Sequence, residues 1–179
     1  MVVTLPGVYH CGFSNSFNVC EAVNLATADW IESGRAFMKM NQEENFLKMT
    51  CFSLDWMVYE TFCKRDTINL SSESRQIIEK EFLTTASTEL EYRKTIRENL
   101  KIEEEELVNS QKIKYYDYSC SYCSNYFYLS WVGCKNCQQL LCSLHGRGCG
   151  CHKMELILFK RVNDDELASK MHFKSHNAV

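Results

Sequence analysis

The sequence predicts an α+β protein with β-strands at its start, a helical middle and a small, cross-braced two-zinc domain towards its end. Three observations predict this class. Short apolar runs alternate with glycine and proline at the start, apolar side chains recur at helical spacing in the middle, and eight Cys and His side chains crowd together near the end. We divide the chain into residues 1–34, 35–111, 112–162 and a polar tail at 163–179.

The N-terminal region has the composition of β-structure. Residues 2–5 predict a strand, Pro6 and Gly7 predict a turn, residues 8–10 can resume the extended run, and a loop at 12–16 leads to residues 17–23. Because an isolated hairpin is not stable in water, we expect this region to be the edge of something larger.

Two helices are predicted in residues 35–111. Ser53 can cap the first helix, in which Met57, Val58 and Phe62 form an apolar stripe. Ser71 or Ser72 can cap the second helix. Its apolar stripe consists of Ile77, Ile78, Phe82 and Ala86. The four glutamates at 103–106 are predicted to be a solvated helical face or a linker.

Cysteine accounts for most of the recognisable chemistry. Seven of the eleven cysteines join one histidine in the pattern C-x2-C-x10-C-x2-C-x4-C-x2-H-x3-C-x-C. These residues are Cys120, Cys123, Cys134, Cys137, Cys142, His145, Cys149 and Cys151. Four soft ligands close one tetrahedral zinc shell, so eight ligands predict two structural zinc ions. The other cysteines are predicted to behave as small buried hydrophobic side chains, and they are Cys11, Cys20, Cys51 and Cys63.

Two pairings of the eight ligands are open. A sequential pairing gives the first four cysteines to one ion and the remaining ligands to the other. An interleaved pairing gives one ion Cys120, Cys123, Cys142 and His145, and the other Cys134, Cys137, Cys149 and Cys151. We favour the interleaved pairing, because joining chain-distant pairs fixes the loops of a module with little apolar core. Filled shells leave no open position, so we expect the zinc to be structural and not catalytic.

Charge and hydropathy make some partners unlikely on physical grounds. The formal net charge is -3, and no apolar run approaches the roughly 18 residues of a membrane span. Residues 112–162 carry seven Lys and Arg against two acidic residues, and ligated zinc would reduce that surplus further. We therefore expect no membrane insertion and no direct DNA binding. No secretory signal is visible, which favours the nucleus or the cytosol for so many free cysteines.

The ligand order narrows the family, because the histidine is sixth and the last pair is Cys149-Gly150-Cys151. This order resembles the zinc finger that follows the Jumonji C (JmjC) domain in the JARID subfamily of lysine demethylases. The sequence LILFKRVNDDEL at 156–167 is similar to that family's strand after the finger, and FSLD at 52–55 matches the start of a helix. The sequences VTLPGVYHCGF at 3–13 and FNVCEAVN at 17–24 resemble the late strands of the family's barrel.

The resemblance implies a fold and an activity. It implies that residues 1–34 are the C-terminal edge of a JmjC (cupin-like) barrel and that residues 35–111 are a helical bundle. Family members are iron(II)- and 2-oxoglutarate-dependent dioxygenases that oxidise a lysine N-methyl group, usually on lysine 4 of histone H3. His10 matches the last ligand of the iron triad, and Asn18 and Asn24 match polar positions near the cofactor pocket. The implied partners are a histone tail, chromatin proteins and the rest of the JmjC domain, in the nucleus.

Two departures from the family limit this expectation. Ser14 and Ser16 stand where the family usually has asparagine and glycine. The upstream H-x-D/E pair and the lysine that holds 2-oxoglutarate are absent, and one ligand cannot keep iron in an open site. We therefore expect iron and 2-oxoglutarate only if the missing half of the barrel is supplied, and no demethylase activity from this chain alone. The alternatives are a non-catalytic, zinc-stabilised chromatin or protein interaction module and an E3-like finger, which the ligand order disfavours.

Overall fold

A computed structural model of the chain describes residues 3–5, 8–23, 25–44, 50–108, 118–146, 149–152 and 155–172. Within these ranges, helices and one four-stranded sheet follow in this order: α1 (Trp30–Glu44), α2 (Leu54–Cys63), α3 (Ser72–Asn99), β1 (Ile102–Leu107), β2 (Ser130–Cys134), β3 (Leu140–Leu141), β4 (Leu156–Lys160) and α4 (Asp164–Met171). The mixed α+β class predicted from the sequence is confirmed. The division into four regions stays a prediction.

Side chains cap the two predicted helices at the expected positions. The Ser53 hydroxyl accepts a hydrogen bond from the Trp56 N–H at 3.3 Å and starts α2. The Ser71 hydroxyl accepts from the Ser74 N–H at 3.1 Å and starts α3. Each bond satisfies one of the backbone donors that a helix start leaves free. None of the helices in the described ranges is long and apolar enough to cross a membrane.

The helices pack through the apolar stripes that their sequences predict. Val58 and Phe62 of α2 are buried against Ile78 and Phe82 of α3. The rings of Phe62 and Phe82 stack with their centroids 3.7 Å apart. Burying an aromatic side chain of this kind stabilises the fold by roughly 1.5–3 kcal/mol. This packing fixes α2 on α3 and forms the first core of the molecule.

The sheet has the strand order β1-β4-β2-β3. β1 pairs with β4 in parallel, whereas β2 is antiparallel to both β4 and β3. Every residue of β2 is buried, because Val132 belongs to a core beneath α3 and Trp131 belongs to a second core on the opposite face. The predicted strand at 156–159 is confirmed as β4.

The glutamate run at 103–106 is predicted to be a solvated helical face or a linker. The residues are exposed to solvent as predicted, but they form neither a helix nor a linker. These residues lie in β1, which pairs with β4. Glu105 contacts Arg97 and Lys160 at 2.6 and 2.5 Å, and Glu104 contacts Lys135 at 3.0 Å. Cations from α3, from β4 and from the residue after β2 offset the charge of the strand. The order of side chains along residues 103–106 could not reveal these partners, which lie between 8 and 55 residues away in the sequence.

The predicted N-terminal strands do not form in residues 3–5 and 8–23, the described part of that region. Their side chains are exposed, and no strand of the described sheet pairs with them. Without a neighbouring strand, an extended segment has no ladder to join. The four cysteines expected to be buried are instead exposed, namely Cys11, Cys20, Cys51 and Cys63.

Part of the predicted polar tail is ordered as α4. The Asn163 side chain accepts a hydrogen bond from the Glu166 N–H at 2.7 Å and caps this helix. Leu167 is fully buried in the core formed by α2 and α3. A single apolar anchor and a cap therefore hold a segment whose composition is mostly polar.

Arg93 joins α3 to the far end of the sheet. Its side chain is 0% exposed and lies 2.7 Å from both Glu89 and Asp164. The same guanidinium donates to the carbonyl oxygens of Val162 and Leu129 at 2.8 and 3.0 Å. A buried charge is tolerated only when paired and hydrogen-bonded, and Arg93 meets both conditions.

Candidate metal centre

Four ligand side chains meet in a first quartet, defined as Cys120, Cys123, Cys142 and His145. Their ligand atoms all lie within 4.8 Å of one another. The His145 Nδ1 is 3.5 Å from the Cys120 Sγ and 3.3 Å from the Cys142 Sγ, and the Sγ atoms of Cys123 and Cys142 are 3.9 Å apart. Ligands of one tetrahedral zinc ion are separated by about 3.6–3.8 Å, given its usual bond lengths. The geometry of the first quartet fits zinc.

The other four ligands form a second quartet of cysteines only, defined as Cys134, Cys137, Cys149 and Cys151. Their sulfur atoms also lie within 4.8 Å of one another. The two groups are those of the interleaved pairing, and neither is a group of the sequential pairing. Both sets of donors suit zinc, which binds thiolate and imidazole in closed structural sites.

A tight turn aims the first two cysteines of the first quartet. The Ser124 N–H donates to the Cys120 carbonyl oxygen at 2.9 Å, and the Cys120 N–H donates to the Asn125 carbonyl oxygen at 2.9 Å. Ser124 has a φ of 59°, in the left-handed region. This conformation reverses the chain directly after Cys123 and directs both sulfur atoms to one side.

The second quartet contains the same turn. The Gln138 N–H donates to the Cys134 carbonyl oxygen at 2.8 Å, and the Cys134 N–H donates to the Gln139 carbonyl oxygen at 3.0 Å. Gln138 also has a φ of 59°. Each C-x2-C pair is thus followed by a residue in the left-handed conformation. The two turns therefore have the same hydrogen bonds and the same backbone reversal.

The sheet holds the two quartets apart. Cys134 is the last residue of β2, and Cys142 follows directly after β3. In the antiparallel pair, Val132 lies opposite Leu141. The end of β2 and the end of β3 therefore lie at opposite ends of this hairpin, one beside each quartet. This arrangement is the cross-brace that the sequence predicts.

Burial differs between the quartets. In the first quartet Cys120, Cys123 and Cys142 are buried, and His145 is partly buried. In the second quartet Cys134 is buried, Cys137 is exposed, and Cys149 and Cys151 are partly buried. The first quartet is therefore less accessible to solvent than the second.

Crowding of the sulfur atoms changes their pKa values. Hydrogen bonds with Cys123 and Cys142 hold the pKa of Cys120 well below its ordinary value, while hydrogen bonds with Cys120 and Cys123 raise the pKa of Cys142. In the second quartet, hydrogen bonds with Cys149 and Cys137 raise the pKa of Cys151 to about 12. Each quartet concentrates sulfur donors whose joint ionisation a divalent cation would favour, because zinc binds thiolates and releases their protons.

The two described residues matched to the iron and cofactor site, His10 and Asn18, both lie in the exposed N-terminal segment. His10 is exposed and belongs to no group of potential metal ligands in the described part of the chain. The Asn18 side-chain amide donates to the Ser14 hydroxyl at 3.2 Å in an exposed loop. Asn24 lies outside the described residues. One exposed histidine does not fit the three-ligand requirement of iron, so no iron site forms among the described residues.

Two polar residues of α1 reach the first quartet, and the sequence patterns do not reveal them. The Asn41 side-chain amide donates to the carbonyl oxygen of Cys123 at 3.0 Å. The Gln42 amide nitrogen lies 3.9 Å from the Cys142 sulfur. The only signal in the sequence is a polar side chain at a position that the helical period would bury.

Comparison with known proteins agrees with this geometry. Residues 120–170 match the C5HC2 zinc finger family. The chain is 28% identical over 174 residues to lysine-specific demethylase 5D of Pan troglodytes and equally to that of Homo sapiens. Each match covers 96% of this chain, which spans only 11% of the relative's length. The chain thus carries a C5HC2 zinc finger and is similar over nearly its whole length to lysine-specific demethylase 5D, which confirms its resemblance to the JARID subfamily of JmjC histone lysine demethylases.

Proposed function

We propose that this chain is the C-terminal portion of the catalytic region of an iron(II)- and 2-oxoglutarate-dependent histone lysine demethylase. It would contribute the last strands of the JmjC barrel, a helical domain and the zinc finger that supports them. The observation that carries this proposal is the extent of the similarity, which runs over 96% of the chain and includes the barrel-like N-terminal motif as well as the finger.

The zinc finger has a structural role in this proposal. The first quartet would hold one zinc ion and the second quartet the other, with all four positions of each ion filled by protein. A closed shell leaves no site for substrate or water. Each structural zinc ion contributes apparent binding energy of roughly 10–16 kcal/mol, which becomes folding energy of the surrounding loops.

The exposed apolar side chains of the N-terminal segment support the proposal that this segment packs against another part of the barrel. Large apolar side chains in residues 3–25 are at least half exposed, and they are Val3, Leu5, Val8, Tyr9, Phe13, Phe17, Val19, Val23 and Leu25. A contiguous set of this size usually marks an interface. We propose that these side chains contact the earlier half of the barrel. In the assembled barrel, His10 would be the last iron ligand, and Asn18 and Asn24 would lie near the cofactor. The chain alone would then be inactive.

The substrate and the cellular setting follow from the same relationship. We propose methylated lysine 4 of histone H3 as the substrate, a histone tail and chromatin proteins as partners, and the nucleus as the location. The bound iron and 2-oxoglutarate would supply the oxidation of the N-methyl group, and this chain would supply one ligand and the platform beneath it.

A segment exchange tests the proposal. The matching segment of human lysine-specific demethylase 5D is replaced by this chain, and loss of methyl groups from a histone H3 peptide methylated at lysine 4 is measured with formaldehyde release. We expect the chimera to be active, the isolated chain to be inactive, and His10→Ala to abolish activity in the chimera. His172→Ala, a change of an exposed histidine in α4's C-terminal cap, is the matched control and should leave activity unchanged.

A second candidate function is a non-catalytic, zinc-stabilised interaction module. The observation that favours it is the exposed His10, which belongs to no group of three or more potential metal ligands in the described ranges. This candidate predicts that the full chain captures a chromatin protein equally well with His10 or with His10→Ala. A folded chimera whose activity does not change with His10→Ala would count against the catalytic proposal and favour this one.

A further inference from the structure

The C-terminal turns of α1 pack on the first quartet through polar contacts. Asn41 is 0% exposed, and its side-chain amide donates to the Cys123 carbonyl oxygen at 3.0 Å and to the Asn125 side-chain oxygen at 2.6 Å. Both acceptors belong to the turn that aims Cys120 and Cys123. An ordinary core helix would present apolar side chains here, so these contacts specify the position of α1 relative to the turn.

Two further hydrogen bonds hold the same turn from either side. The Asn125 side-chain amide donates to the Met38 carbonyl oxygen at 3.3 Å, one helical turn before Asn41. The Tyr126 N–H donates to the Thr50 hydroxyl at 3.5 Å, beyond the end of α1. The turn is therefore held by residues on both sides of the contact that Asn41 makes.

Gln42 extends this contact to a ligand atom. Its side-chain nitrogen lies 3.9 Å from the Cys142 sulfur, within reach of an N–H···S hydrogen bond, and the side chain is partly buried. Three thiolates and one imidazole around a divalent zinc ion carry a net charge of about −1, so a donor aimed at sulfur stabilises the loaded state. The contact therefore joins α1 directly to a ligand atom of the first quartet.

We propose that Gln42 is an outer-sphere donor to the first zinc site, that Asn41 positions it, and that zinc binding by this quartet is therefore coupled to the docking of α1. The inference rests on the zinc sites of the proposed function. Zinc loading would order α1, which directly follows the N-terminal segment that carries His10. The first zinc ion would in this way influence the region assigned to the barrel edge, while the second would not.

The sharpest test changes the donor without changing the length of the side chain. In the full chain, Gln42→Met removes the N–H donor at unchanged side-chain length. Gln42→Lys restores a donor on a side chain that is one atom longer and positively charged. We expect Gln42→Met to speed zinc release from the first quartet to a colorimetric chelator by about tenfold, the lower end of the range for outer-sphere partners, and Gln42→Lys to recover most of the loss. Release from the second quartet should not change. Glu44→Gln, an exposed change two residues along α1, is the matched control and should release both ions at the wild-type rate.

Cadmium NMR spectroscopy of the cadmium-substituted chain distinguishes the two sites. A cadmium ion bound by three sulfurs and one nitrogen has a different chemical shift from one bound by four sulfurs. Gln42→Met should shift the first signal alone, which a general loss of stability would not do. Asn41→Leu keeps the branching and the number of side-chain heavy atoms, and it should both speed release from the first quartet and expose the α1 amides to hydrogen exchange. If Asn41→Leu does not fold, Gln42→Met still decides the question.

The outcomes distinguish this inference from the proposed function. Wild-type release and an unshifted first signal in Gln42→Met, with two ions bound, would overturn the coupling alone. A chain that binds no metal in the first quartet would overturn the coupling and the zinc scaffold together.

Discussion

Replacing Arg93 by methionine tests how the helices are joined to the sheet. Methionine keeps much of the aliphatic volume but removes the charge and every hydrogen-bond donor. The change leaves Glu89 and Asp164 without their 2.7 Å partner. It also removes the Arg93 donors to the Val162 and Leu129 carbonyl oxygens, of which the Leu129 oxygen keeps the Arg161 N–H at 2.9 Å. Glu89 is only 12% exposed, and burial already raises its pKa against the opposing effects of Arg93 and Ser130.

The expected loss follows from this burial. Breaking a buried ion pair by removing one partner destabilises a protein by about 3–5 kcal/mol, because the remaining charge stays buried. That loss is a large fraction of a typical domain's 5–15 kcal/mol, so we expect a clear shift of the urea midpoint. The assay is equilibrium unfolding of the zinc-loaded chain, followed by the fluorescence of its three tryptophans, of which Trp131 is buried.

Arg97→Met is the matched control, one helical turn further along α3. Arg97 also contacts Asp164, at 2.8 Å, but its side chain is 33% exposed. An exposed pair contributes about 1 kcal/mol or less. If Arg93→Met loses no more stability than Arg97→Met, the buried contacts of Arg93 do not stabilise the packing of α3 on the sheet as we infer. In Arg93→Met/Glu89→Leu, we expect a smaller loss than the sum of the two single changes, since the orphaned carboxylate is gone.

Three further predictions concern the turns, the acidic strand and α4. Gln138→Gly should raise the free energy of unfolding by up to about 1 kcal/mol because glycine accepts the left-handed backbone, and Gln138→Val should lower it; urea unfolding of both variants checks the sign. Hydrogen bonds from Arg97 and Lys160 lower the pKa of Glu105 from 4.5 to about 2, so its stabilising effect is present above pH 4.5 and lost as the pH falls towards 2. The stability difference between wild type and Glu105→Gln should therefore be about 1 kcal/mol or less at neutral pH, given the exposure of Glu105, and should shrink over that range; a difference that grows in acid would contradict it. Leu167→Ala should lower the thermal midpoint through a loss of about 2–4 kcal/mol, and an unchanged midpoint would mean that α4 does not dock.

Features encoded by local sequence were predictable. The caps at Ser53 and Ser71, the apolar stripes of α2 and α3, and the strand at 156–159 each depend on neighbours within a few residues. The ligand groups were also accessible, because the spacing of the C-x2-C pairs and the need to close a small module favour interleaving.

Features that depend on distant partners were not predictable. A run of glutamates is typical of a helix or of a solvated segment. The strand conformation of β1 depends on its pairing with β4, more than 50 residues away. The N-terminal run has a genuine strand pattern but has no partner strand in the described sheet. Helix α4 was predictable from its local sequence, because Asn163 followed by three acidic residues is a helix-start signal. The mostly polar composition of residues 163–179 led instead to the prediction of a tail. The contacts of Asn41 and Gln42 with the first quartet could not be predicted, because their partners lie more than 80 residues away in the sequence.

The most direct test of the two-zinc scaffold is the zinc content of paired ligand variants, measured by native mass spectrometry. We predict two zinc ions in the unchanged chain and one in Cys120→Ser/His145→Ala, because both residues belong to the first quartet. Cys120→Ser/Cys149→Ser should bind none, because it damages both quartets. Loss of both ions from the first variant, or retention of one ion in the second, would contradict the interleaved arrangement on which the scaffold depends.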